Sequence, residues 1–289
     1  MDQEVNHGFS TRRKVGQAYL LIFYALGIWK WLDGGWLYQY DPFVFQTRMD
    51  GTSWLFMRSG FHQWLISHPG IYIWADLFFY TMPLLWYLVD SRWPGRSWLL
   101  GCLMLLVNWV YVQTFTLYPT NSIEGHFAWL MMPLLFLVRD KKGFSLVLSG
   151  LRYVFLFFFF SAGFWKIYLG GVFNPAQMSN ILVLQHGHLL TQAPNTFFTR
   201  WTQWLIYHPT IGWVLYLLAT LIELIFVVGF FTRRWDRWLL VLFLIFLFFD
   251  QLVMQIAYYE MIPMLIPLYF SSRDLKKTNA HGDKMITRA

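Results

Sequence analysis

Six stretches of this chain, at 16–33, 71–89, 98–118, 152–169, 211–230 and 238–256, are each long and apolar enough to cross a bilayer as helix. A crossing takes about 20 residues. In hydrocarbon no water satisfies the backbone, so runs of this length must close their hydrogen bonds internally, as helices do. Charged residues make up 13% of the chain, about half the share of roughly 25% usual in a soluble domain. The expected fold class is therefore an all-α polytopic membrane protein.

The chain also repeats itself. QWLISHP at residues 63–69 returns as QWLIYHP at 203–209, and GIWKWLDGG (Gly27 to Gly35) returns as GFWKIYLGG (Gly163 to Gly171). A basic turn follows each apolar run, RWPGRSWLL from Arg92 and RWDRWLL from Arg234, and each half closes on a Pro-containing stretch with a charged stop. Matched blocks in one order read as an internal duplication, which fixes architecture before other arguments. The halves run 1–142 and 143–277, leaving 278–289 as a tail. Two shorter apolar segments, 126–138 and 260–271, hold the fourth place in each half and bring the expected number of spans to eight.

Charge sets the expected orientation. Lys and Arg cluster at 12–14, at 92 and 96, at 139–142, at 233–237 and from Arg273 onward. Eight spans put every cluster on one side, which the positive-inside rule makes cytoplasmic, with both termini in and the basic tail cytoplasmic. The net charge of +7 is thus an orientation signal, and no nucleic-acid partner is implied. Four spans per half make the repeats parallel, related by an axis along the membrane normal. Each half then carries one long external loop, 34–70 and 170–210, which the doubled string ends. Its Trp suits headgroup depth and its Pro disfavours helix at the preceding His. His68 and His208 are accordingly expected to be structural.

Soluble-type motifs are missing. There is no GxGxxG, Walker or HExxH pattern, no metal-ligand spacing, and Cys102 has no second thiol to pair with. Ionisable residues in the membrane are costly and draw attention for that reason. Lys30 and Lys166 stand at the external ends of the first and fifth spans, each ahead of a glycine pair. Lys30 is read first as a snorkelling anchor, as is Arg152 at the other face. His126 opens the fourth span behind Glu124, and Glu260 holds the corresponding place in the second half. His186 and His188 lie in the second external loop, Glu223 and Asp250 fall near mid-membrane, and Asp76 is nearer the outside. Lys166, His126, Glu260 and the His186–His188 pair therefore gather at one face. A desolvated lysine can give up its proton and act as base or nucleophile, and a neighbouring histidine can relay a proton. Such a site suits a lipid-soluble reactant of quinone type.

FFFFSAGFWKIYLGG (Phe157 to Gly171) resembles the aromatic-x-A-G-x-x-K segment of the vitamin K-dependent gamma-carboxylase superfamily, including its bacterial HTTM (horizontally transferred transmembrane) members. EGHFAWLMMPLLF, upstream, resembles that family's Asn-His-aromatic segment, with Gly125 in place of the Asn. The resemblance implies a lysine base for hydroquinone deprotonation at Lys166 and an assisting histidine at His126. It also implies a bacterial inner (plasma) membrane location. The G-x-x-K segment, present at Gly27–Lys30 and Gly163–Lys166, is similar to that of DoxX-type four-helix membrane proteins. Three functional classes stay open at this point. One is an integral-membrane enzyme acting on a hydroquinone, as oxidoreductase or carboxylase-like lyase, with Lys166 and His126 catalytic and Glu260, Glu223, Asp250, His186 and His188 as candidate binding residues. The second is a non-enzymatic partner of a membrane or secreted protein, in maturation, export or immunity. The third is a transporter using Glu223 and Asp250.

Overall fold

The computed structural model describes residues 2–40, 51–116, 126–193, 195–254 and 258–271, with side chains from residue 11 onward apart from Thr52 and His188. Every regular element among them is helical. In chain order these are α1 (Asp2–Leu32), α2 (Gly51–Arg58), α3 (Phe61–Ser67), α4 (Tyr72–Arg92), α5 (Ser97–Phe115), α6 (Phe127–Met131), α7 (Leu134–Leu137) and α8 (Lys141–Tyr168). Then come α9 (Gln177–Gln192), α10 (Phe197–Tyr207), α11 (Pro209–Ile225), α12 (Val228–Phe231), α13 (Asp236–Met254) and a 3₁₀ segment, Tyr259–Met264.

Six of these helical stretches are long and apolar enough to cross a membrane: Thr11–Gln39, Pro69–Arg92, Ser97–Phe115, Lys141–Tyr168, Pro209–Phe231 and Asp236–Met254. Each exposes at least one large apolar side chain over more than half its surface, namely Leu21, Trp74, Leu106, Phe157, Leu221 and Phe248. Faces of that kind call for lipid rather than water. The segments expected as fourth spans are shorter. The first is an apolar stretch, Phe127–Leu137, broken between α6 and α7 at Pro133. The second begins as the 3₁₀ segment and continues as helix to Ser271, where the described residues end. The tail at 278–289 lies outside them.

The chain divides into two compact units, Met1–Leu151 with Tyr258–Phe270, and Arg152–Ala257 with Ser271–Ala289. In the first unit α4 packs along α5, and the 3₁₀ segment packs on α1 and α6. Aromatic rings fill its centre: Phe79 stacks on Tyr111 at 3.9 Å, and Phe23 lies against Phe79, Tyr80 and Trp129. Arg12 forks onto Asp90 (Nη2 to Oδ1 2.9 Å, Nε to Oδ2 3.3 Å) and donates to the Val138 carbonyl. His126, at the other end of the broken segment, lies beside Lys30. The stretch from His126 to Val138 thus runs along α1 from Lys30 to Arg12, 18 residues or about 27 Å of helix.

In the second unit Phe155, Phe159, Phe226 and Phe243 form the matching aromatic centre between α8, α11 and α13. The antiparallel α9 and α10 cover its α11 side through Met178, Leu182 and Leu205. Arg152 corrects its snorkelling assignment. It is fully enclosed, donating through Nε and Nη2 to Asp236 at 2.8 and 2.6 Å and through Nη2 to the Gly229 carbonyl at 2.7 Å. A two-pronged charged bond of this type offsets burial that a lone guanidinium could not bear.

The doubled QWLIxHP string builds one device twice. α3 and α10 end at His68 and His208, whose Nδ1 atoms donate to the carbonyls of Trp64 (2.8 Å) and Trp204 (2.7 Å). The same indoles lie against the imidazoles, at 5.4 and 4.7 Å between ring centres. Pro then starts the next helical turn, where its missing N–H costs nothing.

Candidate functional site

The two G-x-W-K strings explain their own spacing. A Cβ at Gly27 would sit 2.7 Å from Tyr80 of α4, and one at Gly163 would sit 3.0–3.1 Å from Glu223, Leu224 and the Thr220 carbonyl of α11. In lipid, helices associate where small residues let backbones approach. One helical turn beyond each glycine, on the same face, the lysine follows. The helix then stops at Gly34 (φ 72°) and Gly170 (φ 77°), the left-handed geometry that glycine supplies. The amide of Gly35 bonds the Lys30 carbonyl at 2.6 Å and that of Gly34 bonds Trp31. Both lysines are thereby held at the end of a helix, beside a closely packed neighbour.

In the first unit Lys30 Nζ donates to Glu260 Oε1 at 2.6 Å. His126 Nε2 lies 3.5 Å from that ammonium and 3.8 Å from the same carboxylate oxygen. Phe115 and Trp129 present ring faces to Nζ, with centroids at 4.6 and 4.9 Å, in range for cation–π attraction. The same rings flank His126, at 5.3 and 5.0 Å. Three ionisable groups from three distant segments thus share one aromatic enclosure. The Lys30, Glu260 and His126 side chains are only 12%, 11% and 4% exposed, so Lys30 is the more enclosed of the two lysines and no snorkelling anchor.

Asp76 supports this site from below. It is fully buried and accepts the amides of Leu37 (3.0 Å) and Tyr38 (2.9 Å) and the Tyr111 hydroxyl. The turn leaving α1 is tied to α4 and α5 by this one carboxylate, a structural use of a charge that the sequence marked only by depth.

In the second unit Lys166 Nζ donates to Glu223 Oε1 at 2.7 Å, over the Tyr216 ring at 5.4 Å. Its side chain is 27% exposed. Asp250 Oδ2, on α13, is buried without a partner. His186 Nε2 donates to the Met254 carbonyl at 2.7 Å and packs edge-on against Phe198, which makes it a cap for the end of α13. Its side chain is buried, and that desolvation lowers its pKa from the ordinary value, with the Met254 bond acting weakly in the other direction. The side chain of His188 and the whole of Glu124 lie outside the described residues.

Of the residues marked in the sequence, the structure brings His126 and Glu260 together around Lys30, and pairs Lys166 with Glu223. No family model matches the chain, and no curated protein or solved structure matches it either.

Proposed function

We propose that this chain is an integral-membrane protein whose working site is Lys30, His126 and Glu260, acting on a lipid-soluble hydroquinone-class reactant at the extracytoplasmic face. The observation that carries the reading is the enclosure of these three groups by Phe115 and Trp129. An anchoring lysine needs neither a histidine nor an aromatic enclosure, whereas proton transfer to and from a flat apolar ring uses both.

The arrangement divides the chemistry differently from a lysine base. The Lys30 ammonium, paired with Glu260 at 2.6 Å, is placed to stabilise developing negative charge. His126 takes the part of the base, and Glu260 balances the imidazolium that forms. The hydroxyl proton passes to His126 Nε2 and the phenolate faces Lys30. Two electrons and both protons then go to dioxygen, giving quinone and hydrogen peroxide.

Around this site we propose eight crossings with both termini cytoplasmic, arranged as two parallel four-segment repeats related to the HTTM and DoxX-like classes, in a bacterial inner membrane. The course of residues 126–138 from Lys30 to Arg12 favours a fourth crossing in a segment of that length. The basic clusters favour the orientation.

The test is oxygen uptake by protein in lipid nanodiscs supplied with reduced quinones. Wild type and Lys166→Met should consume oxygen, while Lys30→Met and His126→Gln should not. Absence of uptake in wild type would turn the reading to a non-enzymatic partner of a membrane or secreted protein.

A further inference from the structure

At the end of the first unit away from Lys30, one buried guanidinium gathers an exposed basic surface. Arg12 holds both Asp90 oxygens through Nη2 and Nε. It also reaches the Ser97 hydroxyl at 3.5 Å and the Val138 carbonyl, and lies 5.8 Å from the centre of the Phe144 ring. Five segments therefore meet around a single side chain: α1, the end of α4, the start of α5, the end of the His126–Val138 stretch and the start of α8. Exposed cations stand within two residues of these contacts, namely Arg13, Lys14, Arg92, Arg96, Arg139 and Lys142. Arg139 lies over the Trp98 ring at 4.6 Å, which holds it beside the first turn of α5. Residues 11–14, 86–99 and 138–144 carry eight Lys or Arg against two Asp. Asp90 is spent on Arg12 and Ser97, and Asp140 accepts the Gly143 amide at 2.7 Å. The exposed cations are thus left in large excess.

Their depth selects the anion. Arg92 ends one membrane-length stretch, Arg96 directly precedes another, Lys142 opens a third, and Arg13 and Lys14 lie in the first turn of a fourth. Span ends are where headgroup phosphates lie. Trp93 and Leu99, exposed beside Arg92 and Arg96, offer apolar surface of a kind that a lipid covers and a free anion does not. We propose that this face of the first unit is a binding site for the phosphates of anionic phospholipids. Clustered Lys and Arg at a membrane surface attract such lipids, and guanidinium forks match phosphate oxygens. Among the described residues, the Arg152 contacts of the second unit have exposed cations within two residues from one turn only, Arg234 and Arg237. A lipid on the first unit would bridge the ends of separate helices, whatever reaction the Lys30 site performs.

Binding is read as the rise in melting temperature of the full chain in neutral detergent, titrated with phosphatidylglycerol or phosphatidylcholine of the same acyl chains. Wild type should respond to phosphatidylglycerol at about a tenth of the phosphatidylcholine concentration or less, and sodium chloride should erase that preference. Arg92→Gln/Arg96→Gln should lose the preference. Arg234→Gln/Arg237→Gln, which gives up the same charge, should keep it. Circular dichroism checks that both fold, and should the first pair misfold, Arg139→Gln takes its place with the same expected loss. Equal response of wild type to the two lipids overturns the proposal. So does an equal loss in both double variants, which would make the preference a matter of overall charge. Displacement of phosphatidylglycerol by inorganic phosphate alone would also overturn it, since the site would then take a soluble anion.

Discussion

Lys30 Nζ and Glu260 Oε1 are separated by 230 positions in sequence and by 2.6 Å in the fold. The contact ties the last turn of α1 to the 3₁₀ segment that follows α13, and both belong to the first unit. Breaking a buried pair by removing one partner strands the other charge, at a cost of about 3–5 kcal/mol. Lys30→Met and Glu260→Gln should therefore each lower thermal stability in detergent. The double variant Lys30→Met/Glu260→Met should regain much of the loss. Additive losses would mean that the two groups do not share this bond.

The two glycines ahead of the lysines differ in what a methyl group would strike. At Gly27 it meets the rim of the Tyr80 ring, a side chain, whereas at Gly163 one of its contacts is the Thr220 backbone carbonyl. A ring can tilt and a helix backbone cannot. Gly163→Ala should thus be the worse of the pair, within the range of about 1–3 kcal/mol typical of overpacking. Thermal melts of the two variants side by side check the order.

His186 gives a pH dependence with a definite sign. Its pKa in the fold lies below the ordinary 6.5, because burial disfavours the imidazolium. Above that ordinary value folded and unfolded chains are both neutral at this site, and its contribution to stability is fully present. As pH falls below it the unfolded chain takes up the proton first, so stability declines until the folded-state pKa is passed. His186→Gln should remove this slope from the acid limb of a melting-temperature profile, while wild type retains it.

His68 and His208 make the same bond to a carbonyl four residues back. A neutral hydrogen bond of this kind contributes roughly 1 kcal/mol. His68→Ala and His208→Ala should each cost about that amount and leave oxygen uptake unchanged. A loss of turnover in either would assign it a role in chemistry.

What could be read from the sequence follows the range of the interactions. The six long helices declared themselves through composition alone, because lipid imposes one rule on every residue of a span. The doubled string and the G-x-W-K motifs were legible because their function is local: a cap, a close approach and a helix stop within nine residues. Partnerships were not. From sequence Lys30 reads as an anchor and Lys166 as a base, although both stand in the same motif, because their carboxylates come from different places. Glu223 lies at a position that, at the spacing of His68 to His208, corresponds to Pro83 in the first half. Lys30 therefore has no such neighbour on α4 and is completed by Glu260, which no local pattern announces. Arg152 reads as a snorkelling cation for a similar reason: its Asp236 partner is 84 residues away.

The most direct measurement is photolabelling of protein in nanodiscs with an azido-hydroquinone, followed by peptide mapping. The account predicts label on the segments carrying Phe115 and Trp129, displaced by excess unlabelled hydroquinone and lost in Lys30→Met. Label concentrated on α8 beside Lys166, or label that the unlabelled compound fails to displace, would contradict it.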